Sequence, residues 1–256
     1  MKLDRLGNNW DELAKADPLW AILTRPDKKD NKWQIEEFFD TGRKNIADIM
    51  NYVGSIDMPP LRRKRALDFG CGIGRLTQAL ADYFDEVDGV DIAPTMIELA
   101  QRYNLKGDRC KYHVNRASDL KLFPDNHFDF IYTLITLQHM KPRYARGYMK
   151  EFIRTLAPNG LIIFQLPSEY IGPRNLPANK FKKRIVSVLP KPVLDIYCKV
   201  RYFNRRDDQP RMEMYGAKLY ETVKFLERSG ARIIDIKRSP LAGKNWVSYQ
   251  YCLTKK

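Results

Sequence analysis

Residues 65–77, Arg-Ala-Leu-Asp-Phe-Gly-Cys-Gly-Ile-Gly-Arg-Leu-Thr, constrain this chain more than any other stretch. Ala66-Leu67-Asp68-Phe69 is a short apolar run of the kind a buried parallel strand needs. Gly70, Gly72 and Gly74 then occupy alternate positions and form a glycine turn. From Arg75 onward, Leu76, Ala79, Leu80 and Phe84 recur at helical spacing. Strand, glycine turn and helix make the first unit of a doubly wound α/β domain. Such a unit binds its ligand at the carboxyl end of the strand, against the helix N-terminus.

The glycine spacing narrows the ligand. A dinucleotide fingerprint wants its third glycine at the sixth position, where this chain has Arg75; Gly74 comes one residue early. Asp68, two residues before the first glycine, would repel a pyrophosphate and suits a cationic ligand. S-adenosylmethionine, with its sulfonium and ammonium, meets both conditions. The stretch resembles motif I of the class I, Rossmann-like methyltransferases, which use that cofactor.

Further units follow in order. Residues 1–58 read as an N-terminal helical lid rich in aromatics, broken near Pro18, with a second helical segment from Asn31 to about Val53. Trp33, Phe38, Phe39 and Gly42 either face the cofactor or acceptor or simply pack the helix. Val87, Gly89 and Val90 make a strand ending in Asp91, where an acid accepts hydrogen bonds from ribose hydroxyls. Strands are also expected at residues 111–115, 128–134 and 161–166, with a turn at Ala157-Pro-Asn-Gly160. A helix over 217–229, ended by Gly230, precedes the last two strands at 231–236 and 246–253.

The resemblance covers residues 60–167 by motif and 212–256 by architecture. It implies a mostly parallel seven-stranded sheet with the last strand antiparallel and helices on both faces. By resemblance, Asp68, Gly70, Cys71, Gly72, Gly74 and Arg75 hold the methionine end. Ile92 and Met96 pack on the adenine, and Ser118 with Asp119 meets its edge. Leu134, Gln138 and His139 then lie beside the sulfur. His139 is either a general base or a structural histidine, and Glu169, Tyr170 and Tyr215 are the other candidates for proton removal.

Residues 168–211 depart from the pattern. They carry Pro173, Pro177, Pro190 and Pro192 and many basic residues, including Lys182, Lys183 and Arg184. The segment reads as a basic cover that recognises an anionic acceptor or docks on an anionic membrane, or else as a solvated excursion. The net charge of +14 likewise favours an anionic partner. Four cysteines, Cys71, Cys110, Cys198 and Cys252, match no zinc spacing and no dense disulfide framework. They suit a reducing compartment, and no apolar run reaches membrane-spanning length. The expected location is therefore cytoplasmic, with any membrane contact peripheral.

The expected activity is methyl transfer to a small-molecule or glycan/lipid-intermediate acceptor bearing an anionic group. Thr133-Leu-Ile-Thr stands where base-methylating enzymes carry an Asn-Pro-Pro-Tyr-type tetrapeptide, which lowers that option. An RNA-directed methyltransferase and a non-catalytic module binding an anionic partner are the alternatives.

Overall fold

A computed structural model describes residues 2–58, 61–172, 190, 193, 210 and 212–256. The N-terminal segment forms α1 (Leu3–Ala16), α2 (Pro18–Ile22) and α3 (Ile35–Gly54). Pro18 has no N–H to offer, so it opens α2 without loss. Asp17 caps α2 by accepting from the Trp20 amide at 3.2 Å.

The core alternates strand and helix: β1 (Arg65–Phe69), α4 (Arg75–Leu80), β2 (Glu86–Asp91), α5 (Pro94–Arg102), β3 (Cys110–Val114), β4 (Phe128–Thr133), α6 (Pro142–Thr155) and β5 (Leu156–Tyr170). α7 (Leu219–Arg228), β6 (Ala231–Arg238) and β7 (Trp246–Lys255) complete it. Among the described residues the strands form one seven-stranded sheet in the order β3-β2-β1-β4-β5-β7-β6. β7 runs antiparallel to both β5 and β6, as the sequence implied.

Side-chain alternation along the strands loads both faces. Leu67 and Phe69 pack with Tyr148, Met149 and Phe152 of α6 on one side. Ala66, Phe130 and Tyr132 pack with α4 and with Ile46, Ile49 and Met50 of α3 on the other. α3 approaches α4 closely: a Cβ on Gly42 would stand 2.3 Å from the Arg75 carbonyl oxygen.

β5 differs from expectation. Residues 157–160 form no separate turn, because Leu156 already pairs with Phe128 before the ladder shifts to Phe130–Leu161. Asn159 absorbs the shift at φ 63°, a conformation asparagine tolerates. The strand also continues past Leu166 to Tyr170 beside β7, with a second register shift after Pro167.

Candidate functional site

The sheet order reverses between β1 and β4, and the carboxyl ends of the strands diverge there, as ligand crevices in such folds do. At the end of β1 the three glycines all take positive φ: 78° at Gly70, 53° at Gly72 and 83° at Gly74. Gly70 has a second reason to lack a side chain, since a Cβ there would meet Thr136 at 2.3 Å. The Gly70 and Cys71 amides donate to the Val90 carbonyl at 2.7 and 3.1 Å, tying the turn to β2. Cys71 is buried, its thiol pKa pushed up by that burial, and it fills space within the turn.

Asp91 ends β2 with its carboxylate held by the protein. One oxygen accepts from the Gly72 amide and the other from the Ala93 amide, each at 2.9 Å. A carboxylate offers about four acceptor positions, so acceptor capacity remains for a ligand. Burial raises its pKa, and the bonds from Ala93 and Gly72 oppose that rise.

Asp68 lies elsewhere than the motif implied. Alternation along β1 turns it away from the crevice and under α4, where one oxygen accepts from Thr77 Oγ1 at 2.7 Å. Burial raises its pKa to about 6 against the counteracting Thr77 bond and the Arg75 charge. Arg75 is also buried, donating to Thr41 Oγ1 at 3.2 Å. Asp68 Oδ1 and Arg75 Nε lack hydrogen-bond partners and stand directly behind the glycine turn.

In front of the turn is a cavity of about 470 Å³. Gly70, Gly72, Asp91, Ile92, Met96 and Asn115 line one end. Leu134, Gln138 and His139 line it past β4. Ile135 stands among them at φ 57°, a costly conformation for a β-branched residue and of the kind found at functional sites. This end fits S-adenosylmethionine: a strand-end carboxylate with acceptor capacity to spare, apolar flanks at Ile92 and Met96, and a glycine turn whose own residues add no side chain at Gly70 and Gly72.

Other expectations are corrected. Ser118 and Asp119 do not line the cavity; Ser118 is exposed, and the Asp119 carboxylate pairs with Lys121. Asn115 takes their place, its amide fixing the loop through Asp119 O at 2.8 Å and its oxygen accepting from the Ala117 amide. Tyr148 of α6, which helical spacing marks only as an apolar packing residue, lines the cavity and donates to Ala117 O at 2.5 Å. Of the lid aromatics Trp33 reaches the cavity. Phe38 is fully buried between Trp33 and Phe39, Phe39 packs on Tyr103, and Gly42 lies on Arg75, so these three serve helix packing.

Glu169 and Tyr170 are exposed near the end of β5, where Tyr170 packs on Trp246, and they do not line the cavity. Tyr215 faces a smaller neighbouring pocket with Leu137 and Met140. Lys182, Lys183 and Arg184 lie outside the described residues. His139 does line the cavity, in a short turn rather than as a cap of α6, whose N-cap is Lys141.

The roof of the cavity belongs in part to the expected lid, though the sequence did not say which side chains build it. It comes from α1 and α2, through Leu3, Leu6, Trp10 and Ile22, and from Met212 and Met214. α1 is docked by the Thr95 amide donating to Asp11 at 2.9 Å and by Gly7, which lets Ile92 approach. An acid and a glycine in an amphipathic helix are the only local traces of that docking.

Comparison with known proteins agrees with this geometry. Residues 66–160 match the family model described as a methyltransferase domain. Over 206 residues the chain is 28% identical to phosphoethanolamine N-methyltransferase 3 of Arabidopsis thaliana, covering 79% of this chain and 37% of that protein. Over 174 residues it is 29% identical to the chloroplastic tocopherol O-methyltransferase of the same plant, covering 64% and 47%. The chain thus spans less than half the length of either relative. The solved magnesium protoporphyrin IX methyltransferase of Synechocystis PCC 6803, with bound SAH, superposes with a TM-score of 0.64 over 100% of both chains at 14% identity. At that identity the likeness establishes the fold.

Proposed function

We propose that this chain, which belongs to the class I S-adenosylmethionine-dependent methyltransferases, transfers the methyl group of that cofactor to a small-molecule acceptor with an apolar body. One observation carries the reading: a single cavity with a polar, backbone-built end and an apolar, side-chain-built end. When bound, the cofactor supplies a methyl group already activated by positive sulfur.

The chain's own residues do the rest. Asp91 accepts from the ribose, Ile92 and Met96 flank the purine, and the Gly70–Gly72 backbone admits the methionine portion. Trp10, Met212 and Met214 enclose the acceptor and exclude water, while Ile22 packs over Gly72 at the cofactor end. Alignment of a bound acceptor with the methyl group then provides most of the rate. Among the described lining side chains, only His139 carries an imidazole, and burial lowers its pKa. Both of its nitrogens already have protein partners. Alignment and desolvation are therefore assigned the main role.

Arg25 lines the cavity while remaining exposed, and its guanidinium lies 5.3 Å from the Trp33 ring centroid. It marks the mouth and suits an anionic group on the acceptor. The net charge of +14 suits a lipid-borne acceptor met at an anionic membrane surface in the same way.

The test is calorimetric titration with S-adenosylmethionine, followed by assay of S-adenosylhomocysteine release. The acceptor panel comprises phosphoethanolamine, a prenylated naphthol and a prenylated chromanol. Cofactor binding with turnover of an apolar-bodied acceptor is expected. Absence of cofactor binding overturns the reading. Binding without turnover of the panel or of cell extracts favours the non-catalytic alternative.

A further inference from the structure

The chain re-enters the described structure at residue 212 and runs as an extended strap over the turn that follows β4. Alternation along it sends Met212 and Met214 into the cavity and Tyr215 into the neighbouring pocket. Three of the bonds that hold this strap run to the core of the fold. The Ala217 amide donates to Pro167 O at 2.9 Å, and the Tyr215 amide donates to Gln138 O at 2.7 Å. The third is made by a side chain: His139 Nδ1 lies 2.7 Å from the Glu213 carbonyl oxygen. Glu213 sits between the two methionines, so this bond is the one closest to both.

The partners fix the state of the ring. A carbonyl oxygen only accepts, so Nδ1 carries the hydrogen. Nε2 lies 3.2 Å from Gln138 Nε2 and accepts from it in this amide orientation, which leaves Gln138 Oε1 buried without a partner. The two contacts agree on one neutral tautomer, and burial, which lowers the histidine pKa, favours the same neutral form. The Trp10 ring covers the imidazole edge-on, with centroids 5.0 Å apart. A general base must present a free lone pair to the acceptor's proton; here the Gln138 amide stands on that lone pair.

We infer that His139 is a positioning residue, whose imidazole clasps residues 212–217 over the cavity and so sets where Met212 and Met214 meet the acceptor. Methionine is unbranched and adaptable, so its contribution to acceptor fit depends on where its backbone is held. Without the clasp, the Glu213 carbonyl loses its bond to the imidazole and the strap upstream of Tyr215 is held less tightly. The role in acceptor fit rests on the methyltransferase reading above; the clasp itself does not.

The experiment compares His139→Ala, His139→Asn and His139→Gln. The Asn amide nitrogen can occupy the place of Nδ1 and keep the bond to Glu213. The Gln amide reaches the place of Nε2 and loses that bond. Hydrogen exchange of the peptide spanning 212–217 should be about tenfold faster in the Ala and Gln variants and near wild type in the Asn variant. S-adenosylmethionine affinity by calorimetry should stay within about twofold in all three. With the panel acceptor that turns over, KM should rise about tenfold in His139→Ala with little change in kcat, and His139→Asn should restore it.

Wild-type exchange in His139→Ala overturns the clasp. So does a His139→Asn variant with a protected strap but kcat lowered about a hundredfold, which would make His139 a base. If the Ala variant does not fold, the Asn and Gln pair carries the same contrast. Exchange and cofactor binding need no turnover, so failure of the clasp and failure of the methyltransferase reading are separable.

Discussion

At the cofactor end of the cavity the contacts come from backbone, and from one carboxylate that backbone fixes. Gly70, Gly72 and Gly74 lie within five residues of one another, and Asp91 is held by the Gly72 and Ala93 amides. At the acceptor end we assign the wall to apolar side chains drawn from α1 and the 212–217 strap, far apart in the chain. The first surface is set by strand ends and tight turns, which tolerate little change. The second is set by packing, which volume-conserving substitutions can adjust at modest cost. One cofactor and a replaceable acceptor wall is what this division provides.

The largest effect should come from Gly70→Ala. A Cβ there meets Thr136 at 2.3 Å on a backbone with φ 78°. Left-handed strain and overpacking together should cost about 3 kcal/mol in denaturant unfolding. Thr136→Ala in the same chain should recover the packing part, a coupling a double-mutant cycle reads directly. Additive effects would mean the turn is looser than its geometry.

Next is Asp91→Ala. It removes the proposed ribose partner and also frees the Gly72 and Ala93 amides. S-adenosylmethionine affinity should fall about a hundredfold, or about 3 kcal/mol. Unchanged affinity in a folded variant would take Asp91 out of the site and erase the distinction between the two ends.

Asp68→Asn sharpens the comparison from behind the turn. The folded pKa of Asp68 is raised to about 6 from 3.8, mainly by burial. The native state therefore binds more protons than the unfolded state between those values, and stability falls as pH rises through that window. Below it both states are protonated and the penalty vanishes. The substitution should add about 2 kcal/mol of stability at pH 7 and flatten the slope between about pH 4 and 6. Because Asp68 does not line the cavity, cofactor affinity should change by less than about threefold. A far larger loss, by calorimetry, would show that the acid reaches the methionine end.

The smallest effect belongs to the acceptor end. Trp10→Ala opens the roof, and acceptor KM should rise about tenfold while cofactor affinity holds within about twofold. Parallel loss of both would join the two ends into one surface.

Several of these residues were legible in the sequence because their signal is local. The glycine spacing and Asp91 at the end of the second strand needed only their neighbours to be read, whereas Met96 came from the family resemblance. Asp68 was legible as a motif position and misplaced as a contact, because one step of strand alternation decides which face a side chain joins. Ser118 and Asp119 were displaced by Asn115 because the loop folds back on that amide, a closure no spacing announces.

The sequence by itself determined the strand-turn-helix unit, the sheet that follows from repeating it, and a cofactor end made of backbone, since glycines and a strand-end acid act through local geometry. Only the tertiary structure decided the acceptor end. Trp10, Met212 and His139 meet because α1 docks through Asp11 and Gly7 and because the Glu213 carbonyl finds an imidazole. Those contacts join residues far apart in the chain, and apolar packing specifies volume rather than a motif, so nothing in the local order of residues records them.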